Sequence, residues 1–105
     1  MKIWLDDMRP SPDDSWIICH SVNEAIKVLK EHKIEEASLD HDLGDYAHDG
    51  GDGTHLVDWM AEYDVWPTER IAIHSANPVG REQMKATVNR YAPYSATMSP
   101  VPRTL

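Results

Sequence analysis

Three short apolar runs that break off into acid, imidazole or hydroxyl constrain this chain more than any other feature. Lys2-Ile3-Trp4-Leu5 runs into Asp6-Asp7, Ala37-Ser38-Leu39 into Asp40-His41-Asp42-Leu43-Gly44, and Arg70-Ile71-Ala72-Ile73 into His74-Ser75. A short apolar run closed in this way reads as a buried strand, and side chains just past the ends of parallel strands gather along one rim of the sheet. Three such ends carrying carboxylates, imidazoles and a hydroxyl point to one site.

The segments between them alternate in kind. Residues 16–19 read as a further strand. Ser21-Val22-Asn23-Glu24 is a capping box, and the helix it opens runs to about His32 with Val22, Ala25, Ile26 and Leu29 on one face. The third strand covers 36–40. Residues 43–53 hold four glycines and three aspartates and read as a loop, either a flap or a long connection. A helix over about 54–62 sets Leu56, Trp59, Met60 and Tyr63 at helical spacing. The fourth strand covers 70–74. Asn77-Pro78 then offers an N-cap and a proline at the first helical position, and that helix runs to about Arg90 with Met84, Val88 and Tyr91 inward. A weak fifth strand over 94–98 precedes an irregular tail with Pro100 and Pro102. The four tryptophans are expected in the core, with Trp66 a candidate for exposure.

Strands separated by helices imply parallel pairing through right-handed crossovers. The expected fold is a small α/β, flavodoxin-like three-layer sandwich. It has a parallel five-stranded sheet with helices on both faces, and a proline-rich loop over 8–15 takes the place of the first helix. A chain of 105 residues is expected to form one domain over 1–105. In such sheets the working crevice lies outside the carboxyl ends of the strands, where Asp6, Asp7, Asp40, His41 and Asp42 fall.

Charge and cysteine usage then limit the partners. A formal charge of −8 disfavours duplex DNA or an anionic membrane as a docking surface, but admits a small phosphorylated ligand if a cation reverses the local field. The lone Cys19 forms no disulfide within the chain and reads as a buried thiol, as expected in a reducing cytoplasm. The acidic start does not read as a signal peptide, and no segment has the length of a bilayer span.

Two carboxylates about 4 Å apart repel by roughly 4 kcal/mol at an effective dielectric of about 20. A crevice holding Asp6, Asp7, Asp40 and Asp42 therefore keeps some of them protonated or takes up a cation. Oxygen ligands favour magnesium or manganese, while His41 and His74 widen the choice to iron or zinc. The competing structural reading has Asp6 and Asp7 capping turns and Asp42 facing water. His74, and His41 as its alternate, are the candidates for moving a proton near neutral pH. His20, His32, His48 and His55 read as structural or solvent-facing. Ser75, Asn77 at a helix start and Arg9 are candidates for holding a phosphate; Asn77 also reads as a plain cap, and Arg9 as a partner for nearby acids. An EF-hand reading of Asp40-Asp42-Gly44 fails because Asp45 stands where that loop needs glycine.

An acidic pair after the first strand, one Asp after the third and a Ser after the fourth resemble the receiver domains of response regulators. In that likeness Asp6 and Asp7 match metal-holding acids, Asp40 the phosphoacceptor and Ser75 the hydroxyl residue. The chain departs from it in having no helix between its first two strands and no lysine after the fifth, where Arg103 is the nearest base. The longer strings Leu5-Asp6-Asp7-Met8-Arg9-Pro10, Leu39-Asp40-His41-Asp42-Leu43-Gly44 and Ile73-His74-Ser75-Ala76-Asn77-Pro78-Val79-Gly80, with Met84, resemble the cyclic-phosphate processing receiver domains of bacteria and their viruses. The resemblance implies a metal-dependent phosphodiesterase acting on a cyclic nucleotide or a cyclic-phosphate RNA end. Asp6, Asp7 and Asp40 would hold the cation, His74 or His41 would act as acid, and Arg9, Ser75 and Asn77 would hold the phosphate. Asp40 as direct nucleophile is a variant of the same reading. The alternative is a non-enzymatic receiver-like module that binds a phosphorylated ligand or a protein partner.

Overall fold

Strands Lys2–Leu5 (β1), Trp16–Cys19 (β2), Glu36–Leu39 (β3), Arg70–Ile73 (β4) and Thr97–Met98 (β5) form one parallel sheet in the order β2-β1-β3-β4-β5, in a computed structural model that describes residues 1–99. Helices Val22–Glu31 (α1), Gly53–Tyr63 (α2) and Pro78–Tyr91 (α3) connect β2 to β3, β3 to β4 and β4 to β5. The small receiver-like α/β fold is the one expected. The proline-containing tail and Arg103 lie outside the described residues.

Strand alternation divides the side chains between two faces. Ile3, Leu5, Ile17, Cys19, Ala37, Leu39, Ile71, Ile73 and Met98 point to one side and pack with Val22, Ala25 and Leu29 of α1, Leu56, Val57 and Met60 of α2, and Met84 and Val88 of α3. All three crossovers step the same way along the sheet, so right-handed connections put all three helices on this one side. Helices on both faces were expected. Among the described residues the opposite face is covered by chain alone, because the connection that steps back from β1 to β2 is the Asp6–Ser15 loop. Trp4 is held under that loop by a hydrogen bond from its indole Nε1 to the Arg9 carbonyl, 2.9 Å.

Local details depart from the sequence pattern for identifiable reasons. Ser21 caps α1 by accepting the Glu24 amide at 3.2 Å, but Glu24 receives the His20 amide at 3.1 Å, one residue earlier than a capping box requires. The reciprocal box belongs to α2, between Asp52 and His55. The loop at 43–53 contains a 3₁₀ turn over Gly44–His48. It is tied to α1 through Asp49, which accepts from the Ser21 hydroxyl at 2.6 Å and the Asn23 amide group at 3.0 Å. β5 has two residues rather than five: the Ala96 amide is taken by Asn89 Oδ1 at 2.7 Å and the Tyr94 hydroxyl by the Pro67 carbonyl at 2.7 Å. Tyr63 and Tyr91, expected inward, are exposed at the last positions of α2 and α3. Each finds its partner on its own helix: Trp59 lies 5.4 Å from Tyr63, and the Arg90 guanidinium 5.2 Å from Tyr91. Trp66 is half-buried against the core.

Candidate functional site

Register alone aligns the site. Leu5 pairs with Leu39 and Leu39 with Ile73, so the next residues, Asp6, Asp40 and His74, form one row across β1, β3 and β4 at their carboxyl ends. Backbone bonds continue the alignment, with the Asp40 amide donating to the Leu5 carbonyl at 2.9 Å and the His74 amide to the Leu39 carbonyl at 3.0 Å. All three side chains are buried, and one ligand atom from each lies within 4.8 Å of the others, close enough to hold a metal ion.

Each carboxyl has a different set of partners. Asp6 Oδ1 accepts the amides of Met8 and Arg9, both at 2.9 Å, in a tight turn, and Oδ2 pairs with His74 Nε2 at 3.0 Å. Burial opposes ionisation of Asp6, but the His74 bond, the two amides and the His74 charge outweigh it and hold the carboxyl below its ordinary value. Asp40 shifts the other way. Burial and then the charge of Asp6 push it up, against the weaker pull of His74, the Ser75 hydroxyl and the His41 amide. Its Oδ1 accepts the His41 amide at 2.7 Å, and Oδ2 meets Arg9 Nη1 at 3.5 Å. Arg9 lies between the two acids, 3.7 Å from Asp6 Oδ2, and its buried Nε has no partner among the described residues.

A crevice of about 300 Å³ opens beside this row, lined by Asp7, Met8, Arg9, Asp40, Asp42, Gly44 and Ala76. Gly44 is favoured there by its backbone, and it lies close to Asp7. Its φ of +55° is left-handed, and a Cβ would stand 2.6 Å from Asp7 Oδ2. A larger groove of about 580 Å³ between α2 and α3, lined by Asp58, Glu62 and Arg90 among others, lies away from the strand ends and collects no comparable cluster.

The other predicted site residues are placed less directly. His41 turns away from the row: its Nδ1 meets Asp42 Oδ1 at 2.7 Å, its Nε2 lies 3.4 Å from Asp52 Oδ2, and its ring packs so tightly on Gly80 that a Cβ there would collide with it. Asp42 is exposed on the crevice wall and also receives the Asn77 carboxamide at 3.3 Å. Asn77 caps α3, accepting the Gly80 amide at 3.0 Å, so its side chain is spent on the fold. Ser75 is fully buried, accepts the Asn77 amide at 3.1 Å and supports the Asp40 carboxylate. His74 does not line the crevice; its second nitrogen, Nδ1, lies 2.8 Å from the Ser38 hydroxyl, and its ring stacks on Trp4 at 4.1 Å and 5°.

Ser38, Trp4 and Asp52 were not among the predicted site residues. Strand alternation carried a signal for the first two. Trp4 pairs with Ser38 in register, and both share the face on which His74 emerges. Small Ser38 on the strand between them lets the indole and imidazole meet. The pairing of Asp52 with His41 depends on loop geometry and had no such signal.

The donor set fits a hard divalent cation. Asp40 and Asp7 line the crevice, and Asp6, buried, adjoins Asp40 in the row. For His74 to ligate, Nε2 would have to forfeit its bond to Asp6, so oxygen ligation is the arrangement that keeps every hydrogen bond seen, and it suits magnesium or manganese.

A family model described as the cyclic-phosphate processing Receiver domain matches residues 1–90, a span that contains every residue of this row and crevice. No curated protein matches the chain.

Proposed function

The chain belongs to the cyclic-phosphate processing receiver domain family, and from that premise we propose that it is a metal-dependent phosphodiesterase opening a cyclic phosphate on a nucleotide or RNA end. The observation that carries the reading is the convergence of Asp7, Arg9, Asp40 and Asp42 on one crevice, with Asp6 behind it. Four carboxylates against one guanidinium repel a phosphate, so an anionic substrate needs a cation in the same place. Asp40 and Asp7, supported by Asp6, would hold magnesium or manganese, which when bound polarises a phosphoryl oxygen and makes its water more acidic.

The chain's own residues supply the rest. Arg9 has long contacts of 3.5 and 3.7 Å to its acids and an Nε unpartnered among the described residues, so its donors can turn to a non-bridging phosphate oxygen. Ser75 orients Asp40, and Asn77 fixes the start of α3 beside Asp42, so both act on the site from behind. In ring opening a water oxygen bonds to phosphorus, one ring P–O bond breaks, and the freed sugar oxygen takes a proton. The proton comes from the attacking water: Asp42, backed by His41 Nδ1 at 2.7 Å, is the carboxylate on the crevice wall placed to take it and pass it to that oxygen. The product is a phosphomonoester from a ribose 2′,3′-cyclic phosphate, or a linear diester from a cyclic dinucleotide.

Phosphorus NMR tests this with a ribose 2′,3′-cyclic nucleotide and a cyclic dinucleotide, each with manganese, magnesium or chelator. Conversion is expected with metal and not with chelator. Asp40→Asn and Arg9→Ala should each cut it by about 10²-fold or more, the scale of losing one positioned electrostatic group. Shifted but unconverted resonances would instead support a phosphate-binding module. The occupied nitrogens of His74 favour that second reading, since they leave no imidazole facing the crevice.

A further inference from the structure

We infer that His74 is a positioning residue for Asp6, held in that role by Ser38 and Trp4 as one buried unit beneath the crevice. The inference deepens the proposed function, and rests on it only in taking Asp6 as support for a cation site. Asp6 has no exposed side-chain surface, and its Oδ2 has two neighbours, His74 Nε2 at 3.0 Å and Arg9 Nη1 at 3.7 Å. An ionised carboxylate only accepts hydrogen bonds, so His74 Nε2 must carry the proton between them. That leaves Nδ1 facing Ser38 Oγ at 2.8 Å. A hydroxyl both donates and accepts, and so satisfies Nδ1 whether or not it is protonated. Ser38 therefore keeps Nε2–H on Asp6 in either state of the ring.

Trp4 fixes the remaining freedom. Its indole lies parallel to the imidazole, 4.1 Å between centroids and 5° between planes, and blocks rotation of the ring. The indole is itself pinned by its bond to the Arg9 carbonyl. The unit thus ties Asp6 to the same loop that carries Arg9 and Asp7, so one buried cluster sets the aim of the crevice's acids and of the Arg9 guanidinium. Groups that orient a metal-holding side chain from behind commonly cost 10- to 100-fold in metal affinity when removed.

The test uses the whole chain with Mn²⁺ as probe. Ser38→Ala removes one oxygen from a buried strand position, and His74→Gln keeps an amide donor near Nε2 while deleting the Nδ1 contact. Long-range proton–nitrogen correlation of the metal-free protein should show His74 Nε2 protonated in the wild type, and a displaced Nδ1 resonance in Ser38→Ala. Mn²⁺ affinity, read by electron paramagnetic resonance, should fall about 10-fold or more in Ser38→Ala with folding intact by amide spectra. An unprotonated Nε2, or an unchanged affinity in both variants, overturns the inference. Wild-type protein that binds Mn²⁺ but leaves cyclic phosphates intact overturns the proposed activity and not this role. If the wild type binds no Mn²⁺, the metal reading falls and the nitrogen spectrum alone decides the role of His74.

Discussion

Asp6 and Asp40 are neighbours in one row, yet their surroundings push them apart, and this gives opposite stability signatures. Asp6 is held below the ordinary 3.8, so its stabilising contribution is complete above that pH and drains away as pH falls through the depressed value. Asp40 is raised above 3.8, so the folded state binds its proton more tightly than the unfolded chain does. Stability is therefore lost as pH rises from 3.8 through the raised value, and ionised Asp40 remains a cost above it. Asp40→Asn should cut turnover as above yet raise Tm at neutral pH in chelator, each 1 kcal/mol of relief being worth about 4–8 °C in a domain of this size. Thermal melts against pH check it; a lower Tm for Asp40→Asn would show that the carboxylate stabilises the fold. Asp6→Asn should lower Tm above pH 4, with the gap closing in acid. The acids were legible because each ends an apolar run. Their inequality was not, since it depends on Asp6 closing a turn on two amides and meeting His74, while burial and the charge of Asp6 push Asp40 the other way. His74 was legible as a site residue, but its aim was not, because alternation puts it on the Ser38 face and only the register shows what waits there.

The helices meet the site through glycines and caps, and these set the next expectations. Gly53 opens α2 against the Asp40 main chain, where a Cβ would collide with the Asp40 carbonyl oxygen and stand 3.0 Å from Met84 Cε. Gly53→Ala must push α2 off β3, a cost of about 1–3 kcal/mol by the usual scale of overpacking. Chemical denaturation should show that loss, and the displaced strand end should weaken Mn²⁺ binding as well. Ser21→Ala removes the α1 cap and one of the two side-chain partners of Asp49 together. Its expected cost is about 1–2 kcal/mol, and amides of the 44–53 loop should exchange faster. Unchanged exchange there would mean that the Ser21 bond is not what anchors the loop, leaving that role to Asn23. Element boundaries were readable because apolar period and cap chemistry agree: Ser21 and Asn77 both cap as their sequences suggest. The misreadings have identifiable causes. Tyr63 and Tyr91 lie where a helix ends and a partner on the same helix replaces the core, while Tyr94 and Ala96 pack on the core but give their polar groups to Pro67 and Asn89 rather than to the sheet.

At the scale of the molecule, topology explains what the sheet lacks and where the charge goes. Three crossovers of one hand stack every helix on one side, so the row of Asp6, Asp40 and His74 is backed on the other side by the Asp6–Ser15 loop and by Trp4. That loop also carries Asp7 and Arg9. The crevice and the thin side of the fold are therefore one mechanical unit, and filling the crevice should stiffen both. A formal charge of −8 makes any cation mildly stabilising through screening, so the informative quantity is the excess over salt of matched ionic strength. A ligand that binds only the folded state stabilises by about 2.7 kcal/mol at 100 times its Kd. Saturating Mn²⁺ should therefore raise Tm by about 10 °C or more beyond matched sodium chloride, at about 4–8 °C per kcal/mol. The excess should vanish in Asp40→Asn, whose crevice has lost its best-placed donor, and persist in Glu62→Gln, which alters charge in the distant groove. An equal rise in all three proteins would mean that manganese acts on the acidic surface at large and that the row at the strand ends holds no ion.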